Sequence, residues 1–127
     1  MATTSEDLIR DFFDCWHRFD LEGALSRIAD QCRFRPDPNA DTVIGREAIR
    51  AKWGKYMELM RSYDCEYGPM AQQGNVVFCE RLEIVGSSRG YEMRVPIVGV
   101  FELDDSGKIT AWRDYYDTAS APSVEQA

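Results

Sequence analysis

The chain is poor in the groups that bind metals or relay protons through imidazole. Its 127 residues include one histidine, His17, on the polar side of the first amphipathic stretch, where it reads as a solvated helix residue. Neither a Ser-His-Asp relay nor a histidine-built metal site is therefore expected. The four cysteines, Cys15, Cys32, Cys65 and Cys79, lack any CxxC spacing. They read as reduced, mostly buried small hydrophobes rather than metal ligands. Positive charge is scarce too: 15 Lys and Arg stand against 22 Asp and Glu, for a net charge of −7. A phosphate backbone or an anionic membrane needs clustered cations, so nucleic acid and membrane are excluded as partners. No apolar run approaches the ~20 residues that span a bilayer. The segment MATTSEDL has neither the basic flank nor the apolar stretch of a secretory signal, and a cytoplasmic protein is expected.

What the chain does have is apolar content, 44% of its residues, in two successive patterns. Leu8, Ile9, Phe12, Phe13, Trp16 and Phe19 recur at helical spacing behind the cap residues Thr4 and Ser5, with Asp7 placed to close a capping box. Asp20 opens a second short helix marked by Leu21, Ala24, Leu25 and Ile28. Cys32–Asn39 reads as a short strand that runs into a turn, because Pro36 and Pro38 cannot donate to a ladder. A third helix begins near Gly45, with Ile49, Trp53, Tyr56, Met57 and Met60 on its buried stripe. The period then changes to two, and strands are predicted at about 64–71, 75–86, 90–103 and 108–117. Helices first and a meander of strands after give one α+β domain over 1–118, with a flexible tail over 119–127.

Two of these strands carry charge on otherwise apolar faces. In Phe78–Val85, alternation puts Val77, Cys79, Arg81, Glu83 and Val85 on one side and Phe78, Glu80, Leu82 and Ile84 on the other. In Lys108–Asp117, Trp112, Asp114 and Tyr116 share a side. If Asp114 faces the same hollow as Arg81 and Glu83, two carboxyls flank one guanidinium in an apolar cup. Isolated buried charges cost several kcal/mol each, so pairing is expected, with Arg81 bridging both acids through its forked donors. Two carboxyls sharing one cation leave one better off keeping its proton, which sets a general acid beside a general base.

The run Val95–Asp117, ending in WRDYYD, together with Glu80-Arg81-Leu82-Glu83, resembles the limonene epoxide hydrolase family. The resemblance implies the cone-shaped α+β barrel of the wider SnoaL-like, nuclear-transport-factor-2-like superfamily: a curved, mixed but mainly antiparallel sheet and three N-terminal helices around a deep apolar pocket. It also implies a homodimer, no cofactor, and a small apolar epoxide or similar hydrophobic ligand as partner. By position, Asp114 matches the base that activates water, Arg81 the bridging arginine, and Glu83 the aspartate that protonates the epoxide oxygen. Such push and pull on a strained ring needs no covalent intermediate. The pocket wall is expected to draw on Phe12, Trp16, Leu25, Phe34, Asp37, Trp53, Met57, Met93, Val98, Trp112 and Tyr116.

Two features depart from that family. Glu83 is one methylene longer than the aspartate. Phe34 and Pro36 stand where the family holds its water with tyrosine and asparagine, leaving Asp37, Asn39, Tyr91 or Tyr116 as replacements. Two other readings stay open. One is a non-catalytic small-molecule-binding protein of the same superfamily. The other is a ketosteroid isomerase-like enzyme with Asp37 as base, because the Asp37-Pro38 step resembles that family; its oxyanion donors would fall on Phe12 and Val98, which have nothing to donate.

Overall fold

The computed structural model describes residues 4–121 and residue 125. Among them, three helices precede most of one six-stranded sheet. Helix α1 spans Ser5–His17. Thr4 Oγ1 accepts from Asp7 N at 3.1 Å while Asp7 Oδ2 accepts from Thr4 N at 3.3 Å, the reciprocal box that the sequence predicts. Helix α2 is Leu21–Leu25, capped by Asp20, whose side chain accepts from Gly23 N. Ile28, expected on this helix, instead starts strand β1, Ile28–Arg35. The two-residue β2, Val43–Ile44, pairs antiparallel with β1 and was not foreseen, since two residues show no alternation. Helix α3, Arg46–Leu59, passes into β3, Met60–Gln73, at Met60 without a loop. Strands β4 (Val76–Ser87), β5 (Glu92–Leu103) and β6 (Ile109–Tyr115) complete the meander.

The strand order is β2-β1-β6-β5-β4-β3, with β1 parallel to β6 and the other pairs antiparallel. The sheet is curved and mixed, as expected, but it does not close into a barrel: β2 and β3 are its edges. The helices cover one face. Their aromatic side chains interlock with those of the sheet, Phe13 edge-on to Phe101 at 5.7 Å and Phe12 edge-on to Trp112 at 5.3 Å between ring centroids. Rings in such offset geometries attract beyond their buried area, by about 0.5–1.5 kcal/mol per pair.

His17 is exposed, as its place on the polar side of α1 suggests, and it also makes polar contacts. Its Nδ1 lies 2.8 Å from the Tyr63 carbonyl oxygen and 3.0 Å from Asp64 Oδ1, tying the end of α1 to β3. Of the residues expected in the tail, Glu125 contacts α3, ion-paired to Lys52 Nζ at 2.9 Å and Lys55 Nζ at 3.4 Å. Residues 122–124, 126 and 127, also assigned to that tail, lie outside the described residues. Among the described residues, no helix is long and apolar enough to cross a membrane.

Candidate active site

Register decides which side chains meet. Cys79 on β4 pairs with Gly99 on β5, and Gly99 pairs with Asp114 on β6, so all three lie in one row on the helix-covered face. Arg81 is two residues further along β4 on the same face, and its side chain reaches across β5 above Gly99. A Cβ at position 99 would lie 2.7 Å from Arg81 Nη1 and 3.0 Å from Asp114 Oδ1, so only glycine leaves room for the guanidinium. Sequence reasoning passed over Gly99, whose signal was a glycine inside a strand otherwise rich in valine and isoleucine.

Arg81, 2% exposed, and Asp114, 6% exposed, are buried together. One nitrogen makes both bridges: Nη2 donates to Glu83 Oε2 at 2.9 Å and to Asp114 Oδ2 at 2.8 Å. The forked, two-nitrogen bridge expected from the sequence is not formed. Nε and Nη1 have no hydrogen-bond partner among the described residues, and the guanidinium lies 4.6 Å from the Phe13 ring centroid. Burial opposes the charge on Arg81, but Asp114 and Glu83 outweigh it and hold the group firmly protonated. The other Asp114 oxygen, Oδ1, accepts from Trp112 Nε1 at 2.7 Å, a bond within one strand face. Burial foremost pushes the Asp114 pKa up to about 6, with Arg81 opposing the rise and Glu83 adding to it. That value leaves a mostly ionised carboxylate at neutral pH, more basic than an ordinary one.

Glu83 receives a second donor that the sequence did not announce: Tyr63 Oη donates to Oε2 at 2.6 Å. Burial, and next the Glu83 charge, hold the Tyr63 hydroxyl well above its usual pKa, so it stays a donor. Burial pushes the Cys32 and Cys65 thiols up to about 12 and raises that of Cys79, so these three are poor nucleophiles.

A cavity of about 200 Å³ opens beside these groups, with Glu83, Asp114, Trp112, Phe34, Asp37, Met93 and Tyr116 in its wall. Trp16, Tyr56, Tyr63, Val95 and Ile97 join them, with Lys52 and Glu125 also at its wall. Five residues expected in that wall, Phe12, Leu25, Trp53, Met57 and Val98, lie elsewhere. Trp53 is fully buried one layer behind, against Phe34 and Trp112, and Met57 packs on the core. Val98 is 40% exposed on the opposite face, because the Gly99–Asp114 pairing turns Ile97 and Gly99 inward and the residue between them outward. Phe12 and Leu25 are likewise core. Both positions matched to isomerase oxyanion donors, Phe12 and Val98, are thus outside the cavity wall. Phe34 and Pro36, in place of tyrosine and asparagine, do line it. Of the suggested replacements, Asp37 and Tyr116 line the cavity. Tyr91 is 63% exposed at a turn, and Asn39 is exposed with its amide on Thr118 Oγ1. Burial pushes Tyr116 up to about 12, so its hydroxyl is protonated and able to donate.

The catalytic-domain profile of limonene-1,2-epoxide hydrolase matches residues 3–122 of the chain. Among solved structures, an epoxide hydrolase of M. tuberculosis described as like that family superposes with a TM-score of 0.80 at 19% identity, covering 92% of this chain and 85% of that one. An NTF2-like protein of unknown function from Burkholderia pseudomallei gives 0.81 at 19% identity, covering 94% and 95%. The epoxide hydrolase/cyclase-like enzyme SalBIII, of pyran ring formation in salinomycin, gives 0.80 at 17% identity, covering 91% and 92%. At these identities the likeness is one of fold.

Proposed function

This chain belongs to the limonene-1,2-epoxide hydrolase family, and from that membership we propose that it adds water to a small apolar epoxide in a single step. The observation that carries the reading is Arg81 Nη2 joining two carboxyls, Glu83 and Asp114, at the wall of one cavity. Asp114 takes a proton from water while the water oxygen bonds to a ring carbon. In the reactive form Asp114 is ionised and Glu83 carries the proton: the opposite C–O bond breaks, and its electron pair stays on the epoxide oxygen, which takes that proton. The product is a vicinal diol. Asp114 then holds the proton that Glu83 has lost, and its return restores the starting state. No cofactor is required, since acid and base together open the strained ring. The Tyr116 hydroxyl and the Asp37 carboxylate hold the water in place of the groups absent at Phe34 and Pro36. A second copy of this chain is the proposed protein partner.

Phe34 and Pro36 in the cavity wall also favour a second reading, in which the same cavity binds a hydrophobic molecule without turning it over. A panel of small cyclic and aromatic epoxides separates the two, scored by diol formation. The hydrolase reading expects diol from the wild type, and a loss of about 10²–10⁴-fold in Asp114→Asn with the melting temperature preserved. Diol formation in Asp114→Asn at the wild-type rate overturns the assignment of the base. A panel with no turnover but measurable binding moves the chain to the second reading.

A further inference from the structure

Glu83 is longer than the family's aspartate by one rotatable bond, and a carboxyl that can swing is a poor proton donor, because misplacement by about 1 Å can cost a hundredfold in rate. The structure contains a restraint on that freedom. Tyr63 and Cys65 lie on the inner face of β3, and the register sets Cys65 opposite Glu83 and Tyr63 opposite Val85. Tyr63 is therefore the diagonal neighbour of Glu83, within reach of its carboxyl. Its ring is itself immobilised, stacked on Phe13 at 6.4 Å and tilted against Trp16 at 5.9 Å between centroids, with its backbone carbonyl held by His17.

We propose that Tyr63 is the positioning residue of this site: with Arg81 it fixes Glu83 Oε2, leaving Oε1 as the oxygen that delivers the proton. Oε2 already accepts two bonds, from Tyr63 Oη at 2.6 Å and Arg81 Nη2 at 2.9 Å, whereas Oε1 has no hydrogen-bond partner among the described residues. A proton on Oε1 competes with no donor. The longer acid is thus held at both ends, by β4 through its backbone and by β3 through a phenol. The inference rests on the hydrolase reading given above, with Glu83 as the acid.

Tyr63→Phe keeps the ring and its stacking and removes only the hydroxyl. The expected result is kcat lower by about ten- to a hundredfold with KM within about twofold, an unchanged melting temperature, and a crystal structure of the variant with the Glu83 side chain moved from its wild-type rotamer. A wild-type kcat, or a Glu83 carboxyl that stays in place, overturns the proposal. So does a loss of kcat that follows a loss of melting temperature, which makes the hydroxyl structural. If the wild type turns over no epoxide, the hydrolase reading fails, and the rotamer comparison still decides whether Tyr63 fixes Glu83.

Discussion

Asp114 has a hydrogen-bond donor on each oxygen, Trp112 on one and Arg81 on the other, yet burial keeps its proton affinity high. That balance predicts two dependences on pH. Turnover falls about tenfold per unit below pH 6, as the base is lost to protonation. Stability runs the other way. The folded value of about 6 lies above the ordinary 3.8, so the folded protein holds a proton that the unfolded chain releases. The stability contributed by this group is full below about 3.8 and is lost as pH rises through about 6. Urea titrations across that range should show the slope in the wild type and its absence in Asp114→Asn. At this scale the sequence revealed the charged residues well. Arg81, Glu83 and Asp114 stood out because charge on an apolar strand face is conspicuous. Tyr63 did not, because the strand was expected to begin at 64 and α3 enters β3 with no turn residue to mark the change.

Strands β4 and β6 were legible as elements because each buries one face and their alternation is clean around Arg81 and Asp114. Strand β5 was harder. It is apolar on both faces from Val95 to Phe101, so periodicity alone could not say that Ile97 faces the cavity and Val98 does not. Pairing settled what alternation could not, through Gly99. The same glycine gives a sharp test of the element. Gly99→Ala puts a methyl 2.7 Å from Arg81 Nη1 and 2.8 Å from the Phe101 ring, and one of them must move. A loss of about 1–3 kcal/mol in chemical denaturation is expected, together with most of any epoxide turnover. A variant as stable and active as the wild type would mean that the guanidinium does not cross β5 there.

For the whole molecule, the outer face of the sheet presents Phe78, Val98 and Tyr115, each more than a third exposed. Exposed apolar side chains on a chain of net charge −7 suit association that salt strengthens, since screening weakens repulsion between copies. Sedimentation velocity is expected to give twice the chain mass in moderate salt, and Val98→Glu to shift the population toward single chains. Sedimentation of the wild type at the mass of one chain contradicts the homodimer. The open sheet, with two strands at its edges, and the place of β1 beside β6 were beyond sequence reading, because a parallel pairing between such distant segments leaves no local pattern.

That parallel pairing also has a consequence for folding. Strand β6 comes after every other strand in the chain, yet it lies between β1 and β5. Until β6 is in place, β1 and β5 each present an unpaired edge, and the six-stranded sheet cannot be completed. Contacts spanning so much of the chain close slowly. The same strand carries Asp114, so Arg81 gains its second carboxylate only once it has docked.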